Sequence, residues 1–163
     1  MMNTKSTVAV ILGFSAILIV GSNSALAQSK FNEDDFKIKD FGIKDGIPWL
    51  TVEGKAGGST PENASLIYAY AFVTDNGTYA VASHGVEDSA EVENDTEWHT
   101  HGVTLDEKNC VAKLNDDGDA EVNDMVKVTN ITATKVDKVM TAELTINNED
   151  ASVCVSKLID SAP

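Results

Sequence analysis

The chain has 163 residues, 42% of them hydrophobic, with 12 Lys and Arg against 26 Asp and Glu, a formal net charge of −14. Such an acid excess argues against nucleic acid and anionic membrane surfaces as partners, since both attract basic patches. It suits a soluble protein in a salty medium, and secondarily one that concentrates cations.

In chain order, residues 1–27 have the layout of a secretory signal peptide: Lys5, an apolar run from Val8 to Val20, then Ala25-Leu26-Ala27 as the cleavage signal. The apolar run falls short of the roughly 20 residues that a spanning helix needs. The expectation is a secreted, extracellular or cell-surface protein, with residues 28–163 forming one domain around a single core. After the charged lead-in "KFNEDDFKIKDFGIKDG", short β-branched and aromatic runs alternate with Gly, Asn and Asp clusters. They predict strands at 36–41, 47–55, 66–74, 78–84, 97–105, 109–115, 125–135, 138–147 and 151–159. Eight to nine mostly antiparallel strands with short turns predict an all-β, two-sheet sandwich. Asp75-Asn76-Gly77 reads as a hairpin turn, as does Val136-Asp137-Lys138. "GGSTPENAS" (57–65) reads as the one long loop and "NDDGDAEVND" (115–124) as an acidic turn. The latter is no EF-hand, because aligning Gly118 with the loop glycine puts Lys113 at the first ligand position. Tyr68, Tyr70 and Phe72 share one strand face and predict a core stripe, and Trp49 reads as a core anchor.

Cys110 and Cys154 are the only cysteines, and in an exported chain they predict one disulfide, contributing about 4 kcal/mol in the chain-entropy model. Four sequons begin at Asn63, Asn76, Asn94 and Asn130, candidate glycosylation sites if the source organism modifies exported proteins in this way.

The chemistry concentrates in "EWHTHG". All three histidines, His84, His99 and His101, fall within 18 residues on two consecutive strands. Side chains at i and i+2 of a strand share a face, so His99 and His101 project together, and an antiparallel neighbour would bring His84 alongside. Three imidazoles with an open position suit Cu(II) or Zn(II), with Asp88 or Glu97 as a fourth ligand or a hydrogen-bond acceptor behind one. The opposing reading is histidines that hydrogen-bond locally. Val103 and Leu105 share the parity of the pair, so the histidines are expected on the interior face, with Trp98, Thr100 and Thr104 pointing away. A His-x-His strand with a third histidine on its neighbour resembles the ligand set of alpha-type carbonic anhydrases, over those three residues only. The small acidic sandwich with one disulfide resembles the outline of copper–zinc superoxide dismutases, which need more histidines than this chain has. The cupin and blue-copper ligand patterns are absent.

The leading reading is a secreted or cell-surface module that binds Cu(II) or Zn(II). The alternatives are a structural or adhesive filament subunit, self-associating through strand edges with "QSKFNEDDFKIKDFGI" as a donated strand, and a carbohydrate-binding module using Trp49, Trp98 and tyrosines. No nucleophile motif is legible, and an enzymatic role would require a mononuclear metal-dependent hydratase or hydrolase, with Glu97, Asp88 or Glu87 as base.

Overall fold

The computed structural model describes residues 31–61, 65–84, 98–115 and 118–163, with the backbone alone at His84. The proposed signal peptide lies outside the described residues. A 3-10 turn at Glu33–Phe36 precedes ten strands: β1 (Ile38–Lys44), β2 (Ile47–Val52), β3 (Leu66–Thr74), β4 (Gly77–His84), β5 (His99–Leu105), β6 (Val111–Asn115), β7 (Asp119–Val122), β8 (Val126–Thr129), β9 (Val136–Ile146) and β10 (Val153–Ala162). They form two antiparallel sheets, of order β1-β2-β8-β7 and β10-β9-β3-β4-β5-β6. The expected sandwich is present.

Alternation builds the interior. In β2, Leu50 and Val52 are buried, and in β3, Tyr68, Tyr70 and Phe72 are buried, as their stripe predicts. Across the large sheet, Tyr70 lies between Val81 on β4 and Thr141 on β9, while Val81 pairs with Thr100 on β5. Paired residues share a face, so these four point together toward the small sheet, where Val126 and Val128 are fully buried. Phe36 seals one end: its ring stacks on Tyr70 at 5.2 Å between centroids and meets Tyr68 at 5.1 Å.

The turn that carries Phe36 is held by a buried carboxylate. Asp35 accepts hydrogen bonds from the Ser59 hydroxyl (2.7 Å), the Lys55 N–H (2.9 Å) and the Asn32 amide (3.0 Å). The Tyr70 hydroxyl donates to the Asp35 carbonyl at 2.8 Å and accepts from the Gly57 N–H at 3.0 Å. Part of the loop expected to be long is therefore anchored, with Ser59 wholly buried.

Several expectations change. Residues 31–44 are not held out as a donated strand. Phe36 is in the core and β1 pairs with β2 through an Asp45-Gly46 turn, both residues at positive φ. The acidic stretch is not wholly a turn, because Asp119–Val122 forms β7 and pairs with β8. Val136-Asp137-Lys138 begins β9 instead of turning, and β8 and β9 belong to different sheets. Lys135 and Thr134 are drawn aside by Asp75, which accepts from both backbone N–H groups, so the chain crosses between sheets where a hairpin was expected. The β3–β4 hairpin at Asp75 and Asn76 is as expected.

Candidate functional site

The large sheet curls. Its edge strands β6 and β10 meet through the Cys110–Cys154 disulfide and a β-bridge between the same residues, and the Val155 N–H donates to the Asn109 carbonyl at 3.0 Å. The predicted disulfide thus closes a half-barrel, and the face turned away from the small sheet becomes a trough. This overturns the expected orientation of β5. Trp98 and Thr100 face the sandwich core, Trp98 with its ring 5.1 Å from Tyr70, and His99, His101 and Val103 face the trough. Parity alone could not decide this, because the large sheet is apolar on both faces.

The trough floor is made of small side chains. Ala69, Ala71, Ala80, Ala82 and Ala142 line two adjoining cavities of about 190 and 270 Å³. Aliphatic side chains from β6, β9 and β10 form its walls, among them Val111, Leu144 and Val155. Leu105, Leu114 and Leu158, the exposed large hydrophobic residues among those described, stand on its rims.

His101 forms part of the wall and is 8% exposed. The rings of His99 and His101 lie edge to face with centroids 4.6 Å apart. An imidazole bound to Cu or Zn has its nitrogen about 2.0–2.1 Å from the metal, which puts its ring centre about 3.2 Å away. Two such rings at square or tetrahedral angles are about 4.5–5.2 Å apart. The observed spacing falls in that range.

Strands β4 and β5 pair antiparallel, as expected, with Ala82 opposite His99 and Ala80 opposite His101. Position 84 is therefore two residues beyond the level of His99 and four beyond that of His101, about 7 and 13 Å along the strand. The three histidines occupy a row on neighbouring strands, with His99 in the middle. Among the described residues, no three His, Cys, Asp or Glu side chains gather closely enough to hold an ion. Asp88 and Glu97 lie outside the described residues, as do Glu87 and the sequons at Asn63 and Asn94. Asn76 and Asn130 are exposed, and both side-chain amides are engaged, with the Thr132 carbonyl and with the Asp119 carboxylate.

Trp49 is not a core anchor. It sits on the outer face of the small sheet, half-buried, while its neighbours Pro48 and Leu50 turn inward. Gly42, its cross-strand partner, makes room: a Cβ there would lie 3.2 Å from the indole. The ring borders a cleft of about 630 Å³. On its other side Lys127, opposite Trp49 in the register, donates to Glu121 at 2.9 Å, and that bond holds the Glu121 carboxyl below its ordinary range.

The trough, its histidine pair and the Trp49 cleft must be read from their own chemistry, because no protein family matches this chain and neither does any curated protein or solved structure.

Proposed function

We propose that this is a secreted or cell-surface β-sandwich that binds one Cu(II) or Zn(II) ion at His99 and His101. The observation that carries the reading is the spacing of the two rings, 4.6 Å on one face of one strand. Neutral imidazole is a good ligand for both metals, and the half-buried setting shields the ion while the acidic chain draws cations toward it. The disulfide supports an oxidising compartment. The test is titration of the purified protein with Cu(II) and Zn(II) at neutral pH, followed by the nitrogen hyperfine pattern of the copper signal. One equivalent is expected below micromolar concentration, weakened at least tenfold in His99→Ala and His101→Ala. His84→Ala measures whether the third histidine contributes. Binding no tighter than that of acidic surface groups, or unchanged in both variants of the pair, would refute the proposal.

A second reading, recognition of a sugar ring, is favoured by Trp49 itself. An indole laid along the sheet beside a Lys–Glu pair offers an apolar plate with hydrogen-bonding groups at its edge. Retardation in gels containing soluble glucans, abolished in Trp49→Ala, would support it. Equal mobility of the variant and the parent would reject it.

A further inference from the structure

The sandwich already has a core between its sheets, so the apolar face of the trough does not serve to join them. A merely solvated outer face would carry polar residues, yet this one presents alanines on the floor and exposed leucines on the rims, Leu114 and Leu158 each 53% exposed. A floor of alanines leaves space where larger side chains would otherwise close the half-barrel.

The shape selects the occupant. A second copy meeting this face across a twofold axis would set one concave surface against another, which leaves a void in place of a contact. An added strand would extend the sheet along the edge of β6 or β10, which touch each other only at Cys110 and Cys154, and would leave the alanine floor unfilled. What fits is narrow and flexible. The two cavities together have the size of a pocket for a small ligand.

Charge selects its polar end. Lys138 has the parity of Met140 and Ala142 and lines the trough at one end with Asn109 and Thr78. Among the described residues it is the one lysine lining either cavity and it makes no ion pair. His101 stands at the opposite cavity.

We infer that the trough is a binding site for a single-chain amphiphile with an anionic head, of the fatty-carboxylate kind, with the tail along the alanine floor and the head at Lys138. This site does not depend on the metal reading and is tested without metal. Calorimetric titration of the purified protein in a chelating buffer, with decanoate, dodecanoate and tetradecanoate below their micelle concentrations, reads it directly. One saturable site is expected, tightening about fourfold per added methylene as each is removed from water. Ala69→Leu should weaken it at least tenfold by filling the floor. Leu158→Asp, on an exposed rim where folding is unaffected, should weaken it several-fold. Lys138→Ala should weaken dodecanoate while leaving dodecanol unchanged. The absence of saturable binding, an affinity independent of chain length, or equal binding by Ala69→Leu and Leu158→Asp would overturn the inference. So would a stable dimer that Leu114→Asp dissociates, because a second copy would then occupy the face.

Discussion

Replacing Asp35 with alanine tests whether a buried carboxylate holds the end of the sandwich. The side chain is 5% exposed and accepts three hydrogen bonds within one charge-assisted cluster. The Asn32 amide belongs to an exposed residue and can turn to water, but the Ser59 hydroxyl is fully buried and the Lys55 N–H points into the cluster. Two orphaned donors at about 1–3 kcal/mol each, partly relieved by an entering water, place the loss at about 3–4 kcal/mol. That is a large fraction of the roughly 5–15 kcal/mol that holds a typical domain together. Urea denaturation should show the midpoint falling by about 2 M at a typical slope. Asp34→Ala, one residue away and exposed, should change stability by less than about 0.5 kcal/mol. Gly54→Ala should imitate the Asp35 loss, since its Cβ would come within 2.8 Å of the Asp34 carbonyl carbon. A loss below about 1 kcal/mol for Asp35→Ala would refute the argument.

Reduction of Cys110–Cys154, 44 residues apart, should lower unfolding stability by about 4 kcal/mol, and equal urea midpoints with and without reductant would contradict this. Burial pushes the Tyr70 phenol above its ordinary range. The unfolded chain gives up that proton near about pH 10 while the folded chain keeps it, so stability is intact below about pH 10 and falls as pH rises further. Tyr70→Phe should start from lower stability, having lost two hydrogen bonds, and decline less steeply with alkali in the same pH series. Hydrogen bonds from Thr134 hold the Asp75 carboxyl below its usual range. Its contribution is therefore present above about pH 4 and lost on acidification, and melting curves of Asp75→Ala should lose that acid dependence. The Thr100 hydroxyl is buried with no partner among the described residues, so Thr100→Val should be neutral or stabilising by up to about 1 kcal/mol, and destabilisation beyond that would point to a hidden partner.

Local pattern was enough for much of this. Alternation along 66–74 determined β3 and its buried stripe. Asp75-Asn76-Gly77 determined its hairpin, two cysteines as the sole pair pointed to the disulfide, and the spacing of His99 and His101 put both on one face. These are properties of a few neighbouring residues, or of a count. Which face was beyond the sequence, because a sheet apolar on both sides carries no mark of which side meets the second sheet. Trp49 was misread for the same reason: a large aromatic predicts burial, but its place over Gly42 depends on the register between β1 and β2. Strand β7 escaped notice because acidic residues are poor strand formers, and Asp119–Val122 is held by pairing with β8. Tertiary structure alone curled the large sheet until Cys110 met Cys154, since curvature sums the twist of six strands and no single stretch of sequence encodes it.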